Sequence, residues 1–280
     1  MTRKINSDII IDSVARACIE AACILDKQAY NAIESSLLNE DNETAKYVLS
    51  ELLDNADIAE RDCIPLCQDT GMVISFVEMG IKVQLEEPVE DLINKGIKKG
   101  YEEGVLRKSV VKDPFERINT KDNTPAIVYI KQTEGDKLKI NLMLKGFGSE
   151  NMSFVKMLNP SLSQNEVVDI ISDEICNRSY NACPPLFIGI GIAGTMDYAC
   201  VLSKKALLRP LNESNINPVY SDMEERILDK LNKSNIGPAG YDGKTTALSV
   251  AILAYPTHIA GLPVAVTIQC HALRHREIIL

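Results

Sequence analysis

Three cysteines stand where they could do chemistry: Cys67 in PLCQDTG, Cys183 in NACPPLF and Cys270 in IQCHALR. Each is isolated and lies beside sequence that breaks helices. A cysteine binds metal or attacks an electrophile as its thiolate, so loop cysteines that solvent can reach are the ones to weigh. A structural zinc site usually takes its ligands in close pairs. Cys63 and Cys67 form such a pair, but Cys183 and Cys270 have no second partner nearby. Single cysteines on three separated loops suit a cluster gathered from distant segments, and inert buried thiols are the alternative. Three thiolates on a four-iron cluster leave one iron without a protein ligand. Such an open position can bind a carboxylate and a hydroxyl as a Lewis acid. Cys67 is followed at once by Gln68, Asp69, Thr70 and Gly71. Taken alone, Asp69 before Thr-Gly reads as a turn or cap residue.

The elements that must position these residues are of two textures. Residues 8–25 repeat apolar side chains at helical spacing (Ile11, Val14, Ala15, Cys18, Ala22, Leu25), and further helices are predicted near 29–39 and 42–60. Residues 1–60 therefore form a helical segment, with Cys18 and Cys23 as small core residues. From Cys63 onward strands and helices alternate. Strands are predicted at 72–80, 126–132, 137–145, 186–194, 247–255 and, as the last one, 263–270; helices at 89–104 and 163–179. The fold class is mixed α/β: a helical N-terminal segment, then mixed sheets flanked by helices. No linker, repeat or low-complexity tract interrupts residues 1–280, which read as a single domain. Cys63, Cys176 and Cys200 are assigned to packing, Lys204-Lys205 to a solvated helix face, and His271 and His275 to no role.

Composition narrows the function classes. The chain has 280 residues, 45% hydrophobic and 25% charged, with a net charge of −9. That acidity argues against nucleic acid and anionic membranes as partners. The opening MTRKINSDII lacks the apolar core of a secretory leader, and LFIGIGIAG is too short to span a bilayer. A cytoplasmic location is expected, with eight cysteines as thiols or metal ligands rather than disulfides.

Two motifs imitate nucleotide sites. IGIGIAG carries GxGxxG at Gly189, Gly191 and Gly194, yet Pro210 and SNINPV interrupt the βα repeat that a dinucleotide fold requires. Close packing of the strand against a neighbour explains those glycines. GPAGYDGKTT places Pro238 where a P-loop needs glycine and its amide. An amide-rich loop near an anion remains consistent with its composition.

The words around the cysteines add a further layer. PLCQDTG, LRKSVV, KGFGSEN, CPPLFIGIGIAGTMDYACVLSKKALLR, IGPAGYDGKTTA and HIAGLPVAVTIQCHALR follow in order over nearly the whole chain. Together they resemble the α subunit, or N-terminal region, of iron–sulfur-dependent class I fumarate hydratases and their L-tartrate dehydratase relatives. The resemblance implies a [4Fe–4S] cluster on Cys67, Cys183 and Cys270 with one open iron. It implies Asp69 and His258 as catalytic residues, and Gln68, Arg107 and Gly148 as substrate contacts. Their plainer readings are a turn aspartate, a surface arginine and a turn histidine. The implied function is reversible hydration of fumarate to L-malate, with L-tartrate dehydration as the alternative. A non-catalytic iron–sulfur or zinc protein is the alternative of another class. A β subunit is the expected partner, with α–α contacts and a small dicarboxylate substrate. That expectation rests on the nearness of Cys270 to the C-terminus and on a further domain in the fused relatives. The chain departs from the family at Phe147, Ala193 and Asp242, where glycine is usual.

Overall fold

A computed structural model of the chain describes residues 2–280. In chain order the elements are β1 (Arg3–Lys4), α1 (Ser7–Cys23), α2 (Lys27–Asn39), α3 (Glu43–Asp62), β2 (Met72–Gly80), β3 (Val83–Gln84), α4 (Val89–Glu103), β4 (Ile127–Thr133), β5 (Leu138–Lys145), α5 (Phe147–Glu150), β6 (Phe154–Leu158), α6 (Gln164–Ser179), β7 (Leu186–Ala193), α7 (Met196–Ala206), α8 (Pro218–Lys233), β8 (Ala247–Tyr255), β9 (Leu262–Gln269) and β10 (His275–Ile279). The mixed α/β class holds. Helix starts follow local chemistry. The Asn6 side chain accepts the Asp8 N–H at α1, Ser163 and Glu166 form a capping box at α6, and Asn217 with Pro218 opens α8. No helix among the described residues is long and apolar enough to cross a membrane.

The chain divides into two units, each assembled from separate stretches of sequence. The first comprises Met1–Asp26, Ala56–Phe147 and Arg274–Leu280. Its four-stranded sheet has the order β10-β5-β2-β4, with β2 and β4 parallel and the other pairs antiparallel. Ile10, Val14 and Cys18 of α1 and Leu92, Ile93 and Ile97 of α4 are buried in one core with Val73, Val77, Ile140 and Leu142 of the sheet. The expectation that 263–270 is the last strand is corrected here. His275–Ile279 pairs antiparallel with β5 as β10. It was missed because its segment, HREII, shows little apolar alternation.

The second unit comprises Lys27–Asn55 and Gly148–Leu273. Its sheet has the order β6-β9-β7-β8, with β7 and β8 parallel. The central strand β7 is buried along its whole length. Ile188, Ile190 and Ile192 join the core that contains Ile171 and Ile175 of α6 and Ile227 and Leu231 of α8. The glycines between them serve α7. A Cβ at Gly189 would lie 2.1 Å from the Ser203 carbonyl oxygen, and one at Gly191 2.0 Å from that of Ala199. Close packing, as expected, accounts for the GxGxxG look-alike. Gly191→Ala must push α7 off the strand. It is expected to destabilise the protein by at least the ~1–3 kcal/mol usual for overpacking, visible as a lower thermal midpoint. An unchanged midpoint would contradict that packing.

The second imitation motif also resolves within this unit. Glu40 is buried, and its carboxylate accepts the Lys244 main-chain N–H at 2.7 Å and the Asp41 and Asn42 N–H groups at 2.9 and 3.1 Å. The anion beside the GPAGYDGKTT loop is thus the protein's own carboxylate.

Candidate active site

The PLCQDTG turn lies in the first unit, between α3 and β2. The Leu66 N–H donates to the Ala22 carbonyl at 2.8 Å, tying the turn to the end of α1. Beyond it, Thr70 and Gly71 are held from below. The hydroxyl of the buried Tyr101 donates to the Thr70 carbonyl at 2.8 Å. The buried Asn123 side chain donates to the Gly71 carbonyl at 3.1 Å and accepts the Ser109 and Val110 N–H groups at 2.8 and 3.2 Å. The Thr70 hydroxyl donates to the Arg107 carbonyl at 2.8 Å. One asparagine and one threonine therefore fix the LRKSVV segment to the turn. Tyr101, Asn123 and Thr70 were not singled out in the sequence. Each supports main chain, and a residue that does so leaves no motif of its own.

This frame brings three expected site residues together. Arg107 donates through Nη1 to the Gln68 Oε1 at 3.1 Å, and both side chains are exposed. Asp69 is half-buried. Its Oδ1 accepts the Gly71 N–H at 3.0 Å and its Oδ2 the Phe147 N–H at 2.8 Å. The turn contact expected of an Asp before Thr-Gly is present, and the second oxygen reaches a different segment. Gly71 sits at φ 78, and a Cβ there would lie 2.7 Å from the Lys145 carbonyl carbon, so glycine is needed on both counts. Arg107→Lys replaces a planar fork by a point charge. It is expected to raise KM for a dicarboxylate about 10–100-fold with a smaller effect on kcat, the worth of one charged hydrogen bond. A KM unchanged in steady-state assays would return Arg107 to the surface.

Beneath the turn lies basic chemistry that the sequence reading passed over. Lys145 and Arg274 are each 1% exposed. His275, left without a role, is a half-buried strand residue whose Nε2 is buried without a hydrogen-bond partner. Burial, helped by the nearby cations Lys145, Arg274 and Arg276, lowers its pKa to about 3, so it stays neutral. Burial also raises the Tyr101 hydroxyl above its ordinary value and keeps it a donor.

The remaining expected residues lie in the second unit. Cys183 is exposed, precedes β7 and has φ 56, a left-handed conformation costly for a residue with a Cβ. The His271 Nδ1 donates to its carbonyl at 3.3 Å. Cys270 is half-buried at the end of β9, and the fully buried Gln269 amide donates to its Sγ at 3.6 Å and to the Ala272 carbonyl at 2.8 Å. The two cysteine loops of this unit are therefore joined through His271, a link that its position next to Cys270 could have signalled. His258 is exposed, and its Nδ1 accepts the Ala260 N–H at 3.2 Å, leaving Nε2 as the ring's N–H. It lines an open cavity of about 590 Å³ with Asp197, Tyr198 and Tyr255. Gly148 is exposed, and a Cβ there would meet no atom within 4 Å.

The cysteines sort by environment. Cys67 and Cys183 are exposed and Cys270 half-buried, all on loops and all free of disulfides. Cys18 and Cys23 are buried core residues as expected, and burial pushes both thiols up to about 12. One packing assignment needs correction. Cys63 is exposed, with its thiol against that of Cys23, because the chain leaves α3 there at φ 52. Cys176 is half-buried and packs against the core of the second unit, as expected, and Cys200 is half-buried on α7. Lys204 is no solvated side chain either: it is 17% exposed and ion-paired with Glu150. Among the described residues no three or more His, Cys, Asp or Glu side chains form a group that could hold a metal ion. The donor chemistry of Cys67, Cys183 and Cys270 nevertheless fits a cluster: three unbridged loop thiols, distinct from the inert core pair.

Comparison with known proteins agrees in one direction. The family model described as fumarate hydratase (Fumerase) matches residues 11–279. A Methanocaldococcus jannaschii protein named "Putative L(+)-tartrate dehydratase subunit alpha" is 38% identical over 272 residues, 95% of each chain. The L(+)-tartrate dehydratase subunit alpha of Escherichia coli UTI89 is 31% identical over 239 residues, covering 84% of this chain and 78% of that one. The protein of the same name from strain K12 is 30% identical over 245 residues, 86% and 80% of the two chains. With a family match across almost its whole length and relatives of this similarity, the chain belongs to the fumarate hydratase (Fumerase) family of hydro-lyases.

Proposed function

We propose that this chain is the α subunit of an iron–sulfur hydro-lyase that interconverts a four-carbon 2-hydroxydicarboxylate and its unsaturated product. The observation that carries the reading is the content of one short turn. A free thiol, a carboxylate gripped by two main-chain amides, and a glutamine already engaged by an arginine lie within residues 67–71 and at Arg107.

Cys67, Cys183 and Cys270 would hold the cluster, and their thiols are the donors that such a group requires. When bound, a cluster with one open iron supplies a Lewis acid for the hydroxyl that is lost. The chain's own residues do the rest. Arg107 offers its guanidinium fork to one substrate carboxylate and orients Gln68 beside it. Asp69 handles a proton during the addition or loss of water, its carboxylate aimed by the Gly71 and Phe147 amides. His258, with its N–H at Nε2, is the second candidate for proton transfer or substrate contact, and Gly148 offers a main-chain N–H without side-chain obstruction. L-malate loses the C2 hydroxyl and a C3 proton to give fumarate and water, and the reverse reaction adds them.

Fumarate with L-malate is the first reading, supported by the family description. L(+)-tartrate is the second, supported by the names of the relatives. Those names also designate an α subunit, which supports a β-subunit partner that would complete the substrate site. Anaerobic steady-state rates of the αβ enzyme with L-malate, fumarate and the tartrate isomers separate the readings. Turnover of L-malate and fumarate at least as fast as of tartrate supports the first, and tartrate dehydration with no malate turnover supports the second.

A further inference from the structure

We propose that Arg274 is a positioning residue for Asp69: its buried guanidinium grips the Asp69 main-chain carbonyl and packs against Gly146, and so keeps the carboxylate bridged between the Gly71 and Phe147 amides. Arg274 is among the largest wholly buried side chains of the protein, at 1% exposure. Burying a guanidinium is costly unless the charge is well compensated. Yet its Nε has no hydrogen-bond partner, and native structures leave few such groups. Among the described residues the guanidinium makes one hydrogen bond, a short one from Nη1 to the Asp69 carbonyl. A residue kept in the interior at that cost, with its contact on the site turn, is placed to hold that turn.

The geometry closes around one point. A Cβ built on Gly146 would lie 2.8 Å from the Arg274 Nη2 and 3.2 Å from the Asp69 Oδ2. Cation, carboxylate and the Gly146 main chain thus meet where only glycine fits. Both arms of the clamp sit on one strand pair. The Leu144 N–H donates to the Arg274 carbonyl at 3.0 Å as β10 begins, and β5 ends at Lys145, just before Gly146 and the Phe147 amide. A site built on strand ends is held more tightly than one on free loops. Displacing Asp69 by a fraction of its working distance would cost turnover while leaving substrate affinity, which Arg107 supplies, nearly intact.

The inference rests on Asp69 acting in proton transfer, and the test separates the two ideas. Arg274→Lys and Arg274→Gln, in the full αβ holoenzyme, are expected to lower kcat about 10–100-fold with KM nearly unchanged. In the Asp69→Asn background the same changes should cost nothing further, since residues acting through one another are not additive. In the isolated chain, amide exchange at Gly71 and Phe147 should quicken about tenfold while β2 and β5 interior amides stay protected. Gly146→Ala, which presses on the clamp from the other side, should give the same exchange and kinetic pattern if the arginine variants do not fold. A kcat loss of equal size with and without the Asp69 carboxylate, or unchanged Phe147 exchange, would overturn the clamp. If the wild-type enzyme turns over none of the dicarboxylates, the functional reading fails, and the exchange data still decide whether Arg274 holds the turn.

Discussion

Cys183→Ser is expected to abolish iron–sulfur assembly, and activity with it, whereas Cys18→Ser leaves both in place. The contrast follows from the environments of the two thiols. Cys18 lies in the core between α1, α4 and the sheet, and burial pushes its thiol up to about 12, so it offers no thiolate at neutral pH. Cys183 is exposed on a loop, in a left-handed backbone conformation that its Cβ disfavours. Strain of that kind, of order 1–3 kcal/mol, persists where the surrounding structure enforces it, and such residues cluster at functional sites. A serine oxygen is a poor substitute for a thiolate on iron. Cys67→Ser and Cys270→Ser should behave like Cys183→Ser. Iron and sulfide content of anaerobically reconstituted variants is the measurement, and full cluster content in Cys183→Ser would remove that residue from the ligand set.

The second large effect is expected at Asp69. Asp69→Asn keeps the shape and removes the titratable carboxylate, so kcat should fall by about 10²–10⁴. The substitution has a second, smaller consequence. Both carboxylate oxygens accept main-chain N–H groups, from Gly71 and Phe147. An asparagine has one acceptor oxygen, so one of these bonds is lost, at a cost near 1 kcal/mol. A slightly lower thermal midpoint with an unchanged cluster spectrum is therefore expected beside the collapse in turnover. Wild-type turnover in Asp69→Asn would return this residue to a turn-forming role alone.

Much of the fold was legible because apolar periodicity is a direct record of burial. The strand expected at 72–80 is β2, and the helix expected at 163–179 is α6 with its capping box. In LFIGIGIAG the alternation of isoleucine and glycine encodes two different neighbours, a core on one face and a helix backbone on the other. What stayed hidden depends on contacts between distant residues. The division into two units left no linker, since each is made of interleaved stretches. β10 reads as a charged tail until β5 pairs with it. Lys145 and Arg274 are residue types that composition assigns to the surface, and only the fold buries them beneath the site. The pairing of Arg107 with Gln68, 39 positions apart, follows from Asn123 and Thr70 holding main chain.

The central claim is that this chain carries the iron-dependent half of a dicarboxylate hydro-lyase. Its most direct test is one titration: the anaerobic αβ enzyme, oxidised stepwise with ferricyanide, assayed at each step for iron content and for the rate of fumarate, L-malate or L(+)-tartrate turnover. The account predicts turnover of at least one of these substrates, lost in proportion to the release of about one iron per cluster and regained when ferrous iron is restored. Turnover that persists after the iron has been removed, or none with any of the three substrates at full iron content, would contradict it.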